Sequence, residues 1–163
     1  METLYKEAAK SIAVAVDGSE PSWEAMGRAL NMARLLDLPL DVLHVVQLQK
    51  MGYFAFIDRH LQEDKESAAQ KVFEEAKRRA EKAGVSIRTH LLESSINPAE
   101  AVIAFVEESR GVKFLVLGSY GHGFHNRAIL GSTTERVIRE IARRRIPVPV
   151  LVVPAYKSIP EEE

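Results

Sequence analysis

The chain has 163 residues, 46% hydrophobic and 28% charged, with 22 Lys+Arg against 23 Asp+Glu and no cysteine. That length suits one domain, and roughly 70% of the unfolded surface disappears on folding at this size. The balance excludes a disordered, collagen-like or coiled-coil chain. It also provides no global basic field for general nucleic-acid binding, and the missing thiols exclude a disulfide scaffold, a thiol nucleophile and a Cys zinc site.

The first residues, METLYKEAAK, carry charges and no apolar core, so no secretory signal is expected. The longest apolar stretches, Ile12–Val16 and Val148–Ala155, are far shorter than the ~20 residues of a membrane span. The sequence therefore predicts a soluble, cytoplasmic protein with no membrane contact. A single domain is expected over residues 1–157, followed by an acidic tail over 158–163.

Ser11–Val16 predicts a first strand, ended by Asp17-Gly18-Ser19. Trp23, Met26, Leu30 and Ala33 then recur at helical spacing, with Ser19 as N-cap and Pro21 in the first turn. Leu40–Val46 predicts a second strand containing His44, read as a satisfied core histidine. Residues 47–57 hold Tyr53, Phe54 and Phe56 without a clean period and predict an ordered loop or lid. A charged helix is expected from about Asp58 to Ala83, along the line Leu61, Ala68, Val72, Phe73, Ala76 and Ala80. Gly84 would stop it, and Glu74–Arg78 would pair on its solvated face.

Val85–Leu92 predicts a third strand. Asn97-Pro98-Ala-Glu100 carries the signals of a helix start, with Asn97 as cap, Pro98 at N1 and Glu100 closing a capping box. Phe114–Leu117 is an apolar strand ending on Gly118. After a glycine-rich loop, Ser132 and Glu135 form a second capping-box signal, opening a helix through Val137, Ile138 and Ile141. Arg143-Arg144-Arg145 would sit at its C-terminus, where the dipole favours cations. Val148–Val153 is the fifth strand.

Strands alternating with helices, and reading as continuous apolar runs, predict a three-layer α/β/α domain around a parallel sheet. Ligands in such sheets sit outside the carboxyl ends of the strands, where strand order reverses. Asp17-Gly18-Ser19, the end of the second strand, the Asn97 turn and Gly118 onward should therefore face one crevice. A strand, a glycine-rich loop and a helix N-terminus in succession also suit a phosphate, because unpaired N–H groups converge there. The phosphate-loop spacing ending in Gly-Lys-Ser/Thr is absent, and Gly121-His-Gly123 lacks the third glycine of a dinucleotide fingerprint. His122 and His125 stand at i,i+3 but have no third ligand in sequence, so they read as a solvated loop.

The spacing that does fit is G-x2-G-x9-G-[ST], with Gly118, Gly121, Gly131 and Ser132. Together with Val16-Asp17-Gly18-Ser19, Leu43-His44-Val45, Asn97-Pro-Ala-Glu100 and Pro149–Pro154, it makes the chain resemble the universal stress proteins from Ser11 to Pro154. The resemblance implies a five-stranded parallel sheet of order 3-2-1-4-5, similar to other Rossmann-like adenine-nucleotide folds. It further implies binding of ATP, or AMP or ADP, with Mg²⁺ or Mn²⁺, and a homodimer formed through the last strand, Val148–Val153. By the same resemblance, Asp17 sits by the ribose or triphosphate and reaches the metal only through the nucleotide. Val45 meets the adenine, while Gly118, Gly121, Gly131, Ser132, Thr133 and Thr134 line ribose and phosphates. Val16, Ser19, Leu117, Tyr120 and Arg127 are further candidate contacts. The chain departs from the family at Tyr120, where a His is common, and at Ile96, where a Gly is usual. The implied role is a nucleotide-dependent switch or sensor in stress response. A slow ATPase, or an interaction module that does not use nucleotide, remains an alternative.

Overall fold

A computed structural model describes the backbone of residues 9–47, 55–120 and 130–154, and their side chains apart from 55–62. The elements alternate as the sequence predicts: β1 (Ser11–Ala15), α1 (Glu20–Leu36), β2 (Leu40–Gln47), α2 (Ala55–Ala83), β3 (Ile87–Ser94), α3 (Pro98–Glu108), β4 (Val112–Gly118), α4 (Ser132–Arg143) and β5 (Val150–Val153). The sheet is parallel with order β3-β2-β1-β4-β5, as expected.

Chain direction explains the three layers. From β1 the chain winds outward through β2 to β3, so right-handed crossovers put α1 and α2 on one face. It then returns to the other side of β1, and α3 and α4 cover the opposite face. Period-two alternation sorts the core accordingly. Ile12, Val14 and Val42 pack with Met26, Leu30, Ala76 and Ala80. Ala13, Leu43 and Leu115 pack with Val102, Ile103, Val137 and Ile141. β1 is the central strand, and Ile12, Ala13 and Val14 are fully buried. No described helix is long and apolar enough to cross a membrane.

Several boundaries differ from expectation for local reasons. β3 starts at Ile87 rather than Val85, because the Val85 N–H donates to the Ala80 carbonyl (3.0 Å) and closes α2. Gly84 supplies the expected stop at φ +69°. α2 begins at Ala55, so residues 55–57 are helical instead of loop. Gln47 belongs to β2 instead of the loop, and the rest of the predicted aromatic lid, residues 48–54 with Tyr53 and Phe54, lies outside the described residues, as do the Phe56 and Leu61 side chains and the tail over 158–163. Ala69, not Ala68, faces the core of α2. Arg78 pairs with Glu75 rather than Glu74, and Arg79 joins it from the next position. Bonds from Arg78 and Arg79 hold the Glu75 carboxyl down at about 2. β5 starts at Val150, two residues later than expected, after Val148 donates to the Ile146 carbonyl (2.8 Å).

Helix starts are partly as read. Asn97 caps α3 by accepting from the Glu100 N–H (3.1 Å), but the Glu100 carboxylate turns to Arg144 (3.2 Å). Arg144 also meets Glu140 and Glu107, so the basic run does more than complement a helix end: it ties α4 to α3. The second capping box does not form. Gly131 is the N-cap of α4, without a side-chain bond, and its carbonyl accepts from the Glu135 N–H (2.9 Å). Ser132 is already helical, and the Glu135 carboxylate pairs with Arg139.

Candidate functional site

β1 and β4 lie side by side, but the chain leaves them in opposite directions across the sheet. Their carboxyl ends therefore part, and a crevice of about 440 Å³ opens there on the α3/α4 face. This is the switch point of an open α/β sheet, where ligands are expected, and the volume falls within the ~300–1,000 Å³ of small-molecule sites.

The crevice has two chemically different halves. Alternate residues of β2, Leu43, Val45 and Gln47, form one wall, with Pro98 and Val102 of α3 beside them. That half is apolar apart from one amide. The other half holds Asp17, Gly118, Tyr120 and the start of α4.

In the polar half, α4 aims its N-terminus at the opening. Gly131, Ser132, Thr133 and Thr134 all line it. First-turn N–H groups have no intrahelical acceptor and carry the positive end of the helix dipole. Gly131, as N-cap, has no side chain to bond those donors. Ser132 is exposed and Thr133 half-buried, whereas Thr134 is buried. The Thr134 hydroxyl donates to the Gly118 carbonyl (2.7 Å), fastening α4 to the end of β4. Ser119 completes the joint: its N–H donates to the Val153 carbonyl (3.0 Å), and its own carbonyl accepts from the Gly131 N–H (2.7 Å).

The glycines have a steric explanation. A Cβ on Gly118 would stand 3.0 Å from the Pro21 carbonyl oxygen and 3.2 Å from its carbon. A Cβ on Gly131 would stand 3.0 Å from Tyr120 Cα. In both cases the obstructing atoms are backbone, so these glycines let α1, β4 and α4 converge around the crevice.

Asp17 is exposed at the end of β1. One of its oxygens accepts from the Ser19 N–H (2.9 Å) and the Ser19 hydroxyl (2.5 Å), which orients the carboxylate. Gly18 permits this turn at φ +89°. Ser19 is buried and also caps α1, accepting from the Ser22 N–H at 3.4 Å. Ser22, not Ser19, lines the crevice. The turn is braced from outside by Trp23, whose Nε1 donates to the Gly18 carbonyl (3.1 Å) beneath the Arg79 guanidinium. His44 points to the other face: its Nδ1 meets the Val16 carbonyl (2.8 Å) and its ring meets Phe73 edge-on.

Of the residues singled out from sequence, Val16, Asp17, Val45, Leu117, Gly118, Tyr120 and Gly131 to Thr134 converge here. Gly121, His122, His125 and Arg127 lie outside the described residues. Sequence reasoning missed Gln47 and Leu43, although their period-two spacing from Val45 was a sufficient signal, and it missed Val102; Pro98 belongs to the Asn97 turn expected at the crevice. It also missed a charged cluster at the opposite, amino ends of the strands. There Arg88 grips the buried Asp41 with two bonds (2.8 and 3.0 Å), and His90 adds a third (2.8 Å). No group of three or more His, Cys, Asp or Glu able to hold a metal occurs among the described residues.

Fold and crevice together define a doubly wound α/β domain with a cleft at its switch point that is apolar on one side and polar on the other. The chain belongs to the universal stress protein family, whose model matches residues 8–154. Universal stress protein MJ0531 of Methanocaldococcus jannaschii is 34% identical over 163 aligned residues, covering 96% of this chain and 86% of that protein. A family member from Burkholderia pseudomallei superposes with TM-score 0.70 at 26% identity, covering 91% of this chain and 98% of the other. An Archaeoglobus fulgidus member in complex with dAMP matches with TM-score 0.63 at 23% identity, covering 89% of this chain and 98% of that one. A universal stress protein in complex with cAMP matches with TM-score 0.65 at 24% identity, covering 90% and 97%.

Proposed function

We propose that the protein binds an adenine nucleotide, ATP or its di- and monophosphate relatives, in this crevice and acts as a homodimeric nucleotide-dependent switch. The observation that carries the proposal is the division of the cleft into an apolar half and an anion-favouring half. A nucleotide has the same division: a flat base at one end and phosphates at the other. Leu43, Val45, Pro98 and Val102 offer apolar surface to a base. The first-turn N–H groups of α4, with the Ser132 and Thr133 hydroxyls, suit phosphate oxygens. Asp17 suits a ribose hydroxyl or a phosphate-bound Mg²⁺ or Mn²⁺. The cAMP and dAMP complexes of structurally similar proteins support the same ligand class. With a net charge of -1, attraction for phosphate has to come from these local donors. For the homodimer, β5 is an edge strand of the described sheet and its Leu151 is 40% exposed, which suits pairing with a second copy.

Isothermal titration with ATP and Mg²⁺ tests the nucleotide. Binding at micromolar to sub-millimolar ATP is expected, weakened in Asp17→Asn mainly when the metal is present. Absence of heat at tens of micromolar protein and millimolar ATP would refute the proposal.

A further inference from the structure

Resting on the nucleotide reading above, we propose that Trp23 is a positioning residue for the Asp17 carboxylate, acting through the peptide unit that joins Gly18 to Ser19. Two hydrogen bonds reach that unit from opposite edges. Its carbonyl accepts from the Trp23 Nε1–H (3.1 Å), and its N–H donates to Asp17 Oδ1 (2.9 Å). A peptide unit is planar and trans, so its C=O and N–H point in opposite directions and turn together. Holding the carbonyl against the indole therefore aims the N–H at the carboxylate. The brace has a motion to oppose. Gly18 stands at φ +89° and has no Cβ, so the peptide unit after it rotates at little steric cost. Such a flip would carry the Ser19 N–H away from Asp17 and leave the rotatable Ser19 hydroxyl as the remaining Ser19 donor to it.

The indole is itself held. Trp23 follows the Ser19 cap in α1, with its own N–H on the Ser19 carbonyl (3.1 Å). Its half-buried ring packs on the α1/α2 core and lies beneath the Arg79 guanidinium, 4.7 Å from the ring centroid. Glu75 fixes that guanidinium from within α2 (2.8 Å). A cation on the ring face favours one setting of the ring plane. On the other side of Asp17, the His44 Nδ1–H holds the Val16 carbonyl (2.8 Å). The peptide units before Asp17 and after Gly18 are thus both tied to side chains that do not line the crevice. Trp23 therefore reaches a ligand through the turn and not by contact.

The test uses Trp23→Phe, which keeps a flat ring under Arg79 but has no N–H donor, and it has two arms. The first is hydrogen exchange by NMR without ligand. Trp23 is the chain's one tryptophan, so its indole proton gives an unambiguous signal. In wild type that proton should exchange about three- to tenfold more slowly than in a free indole, and the Ser19 amide should lose protection by a similar factor in Trp23→Phe, the effect of one hydrogen bond. The second arm is calorimetric titration with ATP and Mg²⁺. Affinity should fall about three- to tenfold in Trp23→Phe, and by less than twofold when the same change is made in Asp17→Ala. A general loosening of the fold would instead weaken both backgrounds alike. An indole proton that exchanges freely in wild type, unchanged Ser19 protection, unchanged ATP affinity, or an equal loss in both backgrounds would overturn this assignment and leave the nucleotide reading standing. Where Trp23→Phe melts early or Asp17→Ala binds too weakly to measure, the wild-type indole exchange decides. A wild type that binds no ATP would overturn the nucleotide reading, with the exchange arm still deciding whether Trp23 sets the turn.

Discussion

Replacing Arg88 by Met should destabilise the protein most at neutral pH and least in acid. The Asp41 side chain is only 4% exposed, and Arg88 holds it with two bonds while itself remaining 47% exposed. Burial pushes the Asp41 carboxyl up, but the Arg88 guanidinium, the Ser11 hydroxyl and His90 outweigh it and hold the group below its ordinary value. Removing the partner of a buried charge costs about 3–5 kcal/mol when both groups are buried. Here half of the guanidinium is in water, and Ser11 and His90 stay behind, so a loss of about 2 kcal/mol is expected. For a domain of this size that is a fall in Tm of roughly 4–8 °C. The sign with pH follows from the depressed folded value: this stabilisation is fully present above the unfolded value near ~3.9 and is lost as pH falls through the lower folded one. In Arg88→Met the deficit should therefore be full at pH 7 and should shrink below about pH 4. Thermal unfolding of both proteins from pH 7 to pH 3 measures it. Adding Asp41→Asn should recover part of the loss, because the buried charge goes too. A Tm within 1 °C of wild type at pH 7, or a deficit that grows toward acid, would refute this account. Nucleotide affinity should change less than twofold, since Ser11, Asp41 and Arg88 lie at the amino ends of their strands, away from the crevice.

Gly118→Ala should cost about 1–3 kcal/mol in urea unfolding, as overpacked sites do, because its Cβ would press on the Pro21 backbone; unaltered stability would mean that α1 is free to withdraw. Leu151→Asp on the β5 edge should turn a dimer into monomers by light scattering, and an unchanged mass would place any dimer contact elsewhere.

Element type and order were readable because each carries a local cause. Apolar runs gave the five strands, and Ser19, Asn97 and Gly84 gave helix limits through caps that involve only a few neighbouring residues. The crevice was readable at Asp17, Val45 and Gly131 to Thr134, through the glycine spacing and the rule that strand ends carry ligands. Signals with two competing local solutions were less secure. Ser132 and Glu135 satisfy a capping box on paper, but the Gly131 N–H is fastened to the Ser119 carbonyl, and the helix starts one residue earlier than a Ser132 cap would require. Likewise Ala68 and Ala69 are equivalent by type, and only the direction of α2 over β2 decides which is buried.

The sequence by itself determined the alternation of strand and helix, the parallel sheet and the neighbourhood of the site, because period, caps and chain order are local or topological. Tertiary structure alone decided that the glycines at 118 and 131 admit backbone from α1 and the Tyr120 turn. It also decided that Thr134 clamps β4, and that Asp41 meets Arg88 and His90. Each of these depends on a distance between segments far apart in the chain. Such distances are set by how the two helical layers settle on the sheet, which no local pattern encodes.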